Sequence, residues 1–185
     1  IVAAHAHGLQ GIKRAIQAGV DSIEHGSFID DDAIALAKKH GTYLVMDVYV
    51  SDFILSEGEK AGILPESLEK EKKVGLIQRQ NFQKAVKAGV KMAFGTDAGV
   101  YQHGLNARQF AYMVQWGMTP LQAIQAATLN AGTLLNWKND QGQQNVGVAE
   151  VGAFADLIAL KADPLQHIKQ LEQPAAVVKA GLLVQ

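Results

Sequence analysis

The chain contains no cysteine. Disulfides and thiolate metal sites are therefore excluded, and any bound metal must be held by nitrogen and oxygen donors. No apolar run approaches the roughly 18 residues that a membrane-spanning helix needs. Neither sign of charge is in excess. The formal net charge is −1 and there is no long basic run, so nothing favours nucleic acid or an anionic membrane as partner. The cluster Glu69-Lys70-Glu71-Lys72-Lys73 is mixed in sign and reads as a solvated helix start. No phosphate loop, GxGxxG turn or nucleophile elbow is present. Gly95-Thr96-Asp97-Ala98-Gly99 has the outline of such an elbow, but no Ser or Cys stands at its centre. An initiator Met is also missing. The chain opens in mid-strand with Ile1-Val2-Ala3-Ala4-His5, so it is expected to be a piece of a longer protein, cytoplasmic or periplasmic.

What is present is a repeated unit. With 185 residues, 48% of them hydrophobic and 19% charged, the chain suits about one domain with a packed core. A short apolar run, Ile1 to Ala4, ends at His5-Ala6-His7-Gly8. A helix over Leu9 to Ala18 follows, with Ile12, Ala15 and Ile16 at helical spacing. A second strand, Val20 to Glu24, ends at His25-Gly26. Asp30-Asp31-Asp32 marks the start of a helix that stops at Gly41, and Thr42 to Val48 is a third strand. The stretch from Tyr49 to Glu66 reads as a long loop, of the kind that often covers a site. A helix from about Leu68 to Ala88 leads into a fourth strand, Val90 to Phe94, which ends at Gly95-Thr96-Asp97. Ala15-Ile16-Gln17-Ala18-Gly19-Val20 and Ala85-Val86-Lys87-Ala88-Gly89-Val90 are near copies: helix, glycine stop, short buried strand. Strands alternating with helices imply a parallel sheet, either half of a (β/α)8 barrel or part of an open doubly wound sheet. Helices are expected over Asn106 to Trp116, Pro120 to Ala127 and Leu129 to Leu135, then strands over Ala155 to Leu160 and Ala175 to Val184.

The chemistry is expected at the strand ends. In parallel α/β proteins ligands sit at the C-terminal ends of the strands. His5, His25 and Asp97 occupy matching positions there, and imidazole with carboxylate suits zinc and similar divalent ions. A lone histidine at a strand end more often bonds a backbone carbonyl. Three such residues in matching positions point instead to a metal. His7 lies two residues from His5, on the same side of an extended chain, so spacing leaves open which of the two is a ligand. His103, near the mouth, is a candidate for substrate contact, as are Tyr101 and His7. His40 and His167 read as structural. Glu24 is expected to face the helix layer, away from the lumen.

These motifs resemble the C-terminal half of an amidohydrolase-superfamily enzyme, in the branch of imidazolonepropionase-like and Xaa-Pro dipeptidase (prolidase-type) proteins. The matching segments are Val2 to Gly8, Gly19 to Gly26, Phe94 to Gly99, Gly117 to Ile124 with Ala127 to Ala131, and Gly152 to Ile158. The resemblance implies residues 1–145 as strands 5 to 8 of a (β/α)8 barrel and residues 146–185 as part of a small β-sandwich subdomain. It implies His5, His25 and Asp97 as the residues of strands 5, 6 and 8, one or two divalent ions, most often zinc, and a small-molecule or dipeptide substrate. Asp97 would be the general base, then acid, in hydrolysis of a C–N bond. The HxH pair of strand 1 and the lysine of strand 4 would lie upstream. The chain alone is then expected to be inactive and to need its missing half, or a second copy as a homo-oligomer, to close the barrel. The competing reading is a non-catalytic α/β ligand-binding module with structural histidines. Imidazoles of His5 and His25 more than about 8 Å apart would favour it, since ligands sit near 2 Å from a shared ion. A third reading, a member that recognises its ligand without cleaving it, leaves Asp97 dispensable.

Overall fold

A computed structural model describes residues 1–185. Three short strands form a parallel sheet in chain order: β1 (Ala3–Ala6), β2 (Ser22–His25) and β3 (Tyr43–Val45). Ala3 pairs with Ser22 and Ser22 with Tyr43, so all three strands end on the same side. Parallel neighbours require crossovers. Helices α1 (Leu9–Gln17) and α2 (Asp31–His40) supply them. In α1, Ile12 and Ile16 lie one turn apart and are fully buried. In α2, the Asp30 carboxylate accepts the Ala33 N–H at 2.7 Å, and Gly41 closes the other end in the left-handed region at φ 74°. That conformation favours glycine.

The sheet has two faces. Ala4, Ala6, Ile23 and Leu44 pack with Ile12, Ile16, Ala33 and Phe82 under the helices. Ala3, His5, Ser22, Glu24 and Val45 take the opposite face by strand alternation. A cavity of about 350 Å3 opens there between Ile1, Val2, Val45, Phe94, Leu134 and Leu135.

The expected fourth strand, Val90 to Phe94, is reduced to a single parallel bridge between Leu44 and Met92. Lys91 O accepts from Leu44 N, and Ala93 N donates to Leu44 O. Beyond that, helix termini take the hydrogen bonds: Phe94 N donates to Ala126 O and Asn130 Nδ2 to Met92 O. The segment runs beside β3 as a fourth strand would, but its outer groups bond to helical residues. The expected loop from Tyr49 to Glu66 contains a helix, α3 (Val50–Glu57). Val50, Phe53 and Ile54 have helical spacing, which the later Gly58, Gly62 and Pro65 obscured.

Helix α4 (Pro65–Ala88) starts on a proline at its first turn and stops at Gly89, φ 66°. Next come α5 (Arg108–Gln115), α6 (Pro120–Gln125), a π-helical turn (Ala126–Asn130) and α7 (Ala131–Leu135). Thr119 and Gln122 form a reciprocal capping box on α6. The helical continuation expected through Leu129 to Leu135 is present as one unbroken run. Strands β4 (Leu157–Ala159), β5 (Ala176–Lys179) and β6 (Leu182–Leu183) form a separate antiparallel sheet. No helix is long and apolar enough to cross a membrane.

Candidate metal centre

The parallel strands carry their polar residues to one edge. His5 is on β1, His7 follows it, His25 ends β2, and Asp47 lies two residues past β3. Asp97 follows the bridged segment. The His5 and His25 rings are 4.5 Å apart, centroid to centroid, well inside the limit set above for a shared ion. His7 completes a triangle, 4.8 Å from His5 and 4.6 Å from His25, stacked on the latter. One nitrogen or carboxylate oxygen from each of His5, His7 and His25 lies within 4.8 Å of the others. The same holds for His25, Asp47 and Asp97. His25 belongs to both groups.

Backbone strain is concentrated at this edge. Only four non-glycine residues have positive φ, and His25 (69°) and Asp97 (50°) are two of them. Such conformations cost energy and persist only where the surroundings hold them. At His25 the turn also redirects the side chain. Alternation along β2 puts Glu24 and His25 on opposite faces, but both line the same small cavity of about 220 Å3, with His5, Asp47 and Asp97. Glu24 also hydrogen-bonds Ser22, two residues earlier on the same face. The expectation that Glu24 faces the helix layer is therefore wrong. Ile23 takes that position, and the left-handed His25 swings to the lumen side.

Asp47 is the residue the sequence reading missed. It is 4% exposed, and its Oδ1 accepts from Gln78 Nε2 at 2.9 Å and lies 2.9 Å from His25 Nδ1. The signal was available: a carboxylate inside the apolar run Tyr43 to Val50 must find partners. Helices α4 and α5 pin the segment around it. Arg79 Nε donates to Val48 O, while the fully buried Gln109 accepts from Tyr49 N and donates to Met46 O. From α4, Asn81 holds Ser27 O, and the Ser27 hydroxyl lies 2.8 Å from His7 Nδ1.

The groups bias one another's protonation. The hydrogen bond from Asp47 holds His25 above the usual imidazole range. Burial, with the neighbouring His25 and His5, pushes His7 below it, which favours the neutral form a metal requires. Burial and the Asp47 charge push Asp97 up, against the pull of His25 and His5. No group of the chain hydrogen-bonds the Asp97 carboxylate.

The two remaining candidates separate. Tyr101 is buried between Tyr49 (5.0 Å) and Phe53 (5.7 Å). Burial pushes its pKa up, with Asp47 and Asp97 contributing, so it stays a donor. It belongs to the wall behind the site, not to an exposed mouth. His103 lies exposed in its loop, outside both ligand groups.

The donor set fits a divalent ion. Three imidazoles, two with Nδ1 engaged by Ser27 and Asp47, and a free carboxylate provide the nitrogen and oxygen ligands that zinc and its neighbours accept. A parallel α/β sheet with histidines and carboxylates gathered at its C-terminal edge is the architecture of the metal-assisted barrel enzymes. The chain matches the amidohydrolase family over residues 1–184 and belongs to it. Members of this family generally use divalent metals.

Individual relatives fit that assignment. Ochratoxinase from Aspergillus niger is 39% identical over 181 residues, covering 96% of this chain and 36% of the relative. An imidazolonepropionase from Cutibacterium acnes is 27% identical over 160 residues, covering 85% and 34%. The crystal structure of an Xaa-Pro dipeptidase with methionine bound in its active site superposes with a TM-score of 0.89 at 44% identity, over 100% of this chain and 44% of that one. The fold is that of the amidohydrolase TIM-barrel enzymes, and the chain spans well under half the length of each of these relatives.

Proposed function

We propose that this chain carries part of the active site of a metal-dependent hydrolase that cleaves C–N bonds, with an Xaa-Pro dipeptide as the first substrate to test. The observation that carries the reading is that His5, His25 and Asp97, each at the end of a parallel segment, line one small cavity, with His25 common to both ligand groups. His5, His25 and Asp97 would hold the ion, with His7 beside them. Zinc, as one or two ions, is the first choice for this nitrogen and oxygen set. When bound, the ion makes water more acidic and polarises the scissile carbonyl. Asp97 takes the proton from water as the new C–O bond forms and returns it to the leaving nitrogen as the C–N bond breaks. Tyr101 offers a buried donor near the carboxylates and His103 an outer contact for substrate.

In this reading residues 1–145 are half of the barrel and 146–185 belong to a small β-subdomain. The apolar cavity between Ile1, Val45 and Leu135 is closed by the rest of the barrel, from the same polypeptide or a second copy. The decisive experiment measures Xaa-Pro dipeptide hydrolysis by the full-length protein, stripped with chelator and reloaded with zinc. Activity that returns with zinc and is lost in His25→Ala supports the reading. Equal activity in the stripped enzyme, or full activity in His25→Ala, refutes it.

A further inference from the structure

Two carboxylates of the site, Glu24 and Asp47, have no part in the proposed reaction. Asp47 is the buried one. Its Oδ1 serves two partners, His25 Nδ1 and Gln78 Nε2, each at 2.9 Å. The Gln78 amide nitrogen can only donate, so Oδ1 acts as an acceptor. A carboxylate that accepts on this oxygen calls for a donor at His25, because an ionised carboxylate has no proton to give. A neutral imidazole carries one proton. With that proton on Nδ1, the lone pair lies on Nε2.

The surrounding structure gives Asp47 little freedom to do anything else. Met46 O and Tyr49 N, on either side of it, are both clamped by Gln109. Val48 O is held by Arg79, which also pairs with Asp52. Three side chains from two helices thus fix a four-residue segment whose one site-facing group is the carboxylate. His25 needs this support more than His5 does, because its backbone is left-handed and does not by itself set the direction of the ring.

We propose that Asp47 is a positioning residue: anchored by Gln78, it holds His25 in the Nδ1–H form and presents Nε2 as the metal-binding atom. Histidines that bind metals commonly donate their second nitrogen to a carboxylate, and loss of such a partner weakens metal binding by roughly 10- to 100-fold. The inference rests on the metal reading above but concerns a property of the metal-free chain. It also limits the site: with Nδ1 committed, His25 can serve only one of the two overlapping ligand groups, so this chain alone completes one ion site at most.

The test is nitrogen NMR of the labelled, metal-free full-length protein at about pH 9, where imidazoles are neutral. His25 should show a pyrrole-type Nδ1 and a pyridine-type Nε2, and Asp47→Asn should mix or invert the two forms. Zinc titration is the second readout. Asp47→Asn should weaken zinc by roughly 10- to 100-fold. Asp47→Glu, which keeps the acceptor, should recover part of that loss, and Asp47→Leu should not. An Nε2–H form of His25 in the unaltered protein overturns the proposal without any variant having to fold. A loss in Asp47→Asn as complete as that in His25→Ala also overturns it, by making Asp47 a ligand itself. If the unaltered full-length protein fails to bind zinc while His25 is still Nδ1–H, the functional reading falls and the tautomer assignment stands.

Discussion

Replacing Asp97 with Asn separates chemistry from structure. Asp97 sits at φ 50°, in the left-handed region. Most side chains pay roughly 1–2 kcal/mol to adopt it, but Asn tolerates it well. The carboxylate makes no hydrogen bond within the chain, so Asn leaves no buried donor stranded. The cost to stability should stay within about 0.5 kcal/mol. The chemical cost should be much larger. Removal of a general base slows the reaction by about 10²- to 10⁴-fold, or about 3–5 kcal/mol of transition-state energy. The assay is kcat for an Xaa-Pro dipeptide with the full-length enzyme at saturating zinc, with metal content and melting temperature measured on the same samples. Asp97→Ala should lose as much activity and a further 1–2 kcal/mol or so of stability, because it lacks the side chain that suits the left-handed backbone. If Asp97→Asn holds full metal and keeps kcat within about threefold of the parent, Asp97 is not the base. The protein would then recognise its ligand without cleaving it.

Other changes test the scaffold around the site. A Cβ added at Gly95 would lie 2.3 Å from Val45 Cγ1. Gly95→Ala should therefore cost about 1–3 kcal/mol by overpacking and displace Asp97, which urea unfolding and kcat would both report. Gln109→Leu strands Tyr49 N and Met46 O; at about 1–3 kcal/mol for each lost partner it should be strongly destabilising in the same unfolding assay. Asp30 caps α2 and is held below its usual pKa first by Lys13 and then by the Ala33 N–H. A depressed pKa stabilises the fold above the unfolded value of 3.8 and is lost as pH falls through the folded value. Asp30→Ala should thus cost about 1 kcal/mol near neutrality, and the gap to the parent should close in acid. A gap that persists below the folded pKa would show that the cap does not depend on charge.

Much of this site is readable from residue types and order. His5 and His25 each end an apolar run one βα unit apart, and that spacing alone makes neighbouring parallel strands bring them together. Asp97 ends the third copy of the same pattern. What escaped the reading escaped for identifiable reasons. Asp47 fell inside an apolar stretch taken as one strand, Thr42 to Val48, yet the strand stops at Val45 and Asp47 lies in its exit. Glu24 was put on the wrong face because alternation assumes extended backbone, and His25 is left-handed. Helix α3 was hidden by the glycines and proline after it, although Val50, Phe53 and Ile54 already had its period. The burial of Tyr101 was not legible, because it depends on Tyr49 and Phe53, which are distant in sequence and come close only in the fold.

The order of the parallel sheet has a consequence for how the protein is made. Neighbours in the sheet are neighbours in the chain, so each new strand docks on the one just formed by closing a loop of about twenty residues, a modest entropic cost. A chain emerging from the ribosome can add these strands one at a time in the order they are made. The imidazoles of His5 and His25 meet at the first closure, while Asp97 arrives only after α4 has been made. For that interval the nascent protein displays a metal-chelating pair without the carboxylate that would put the ion to use.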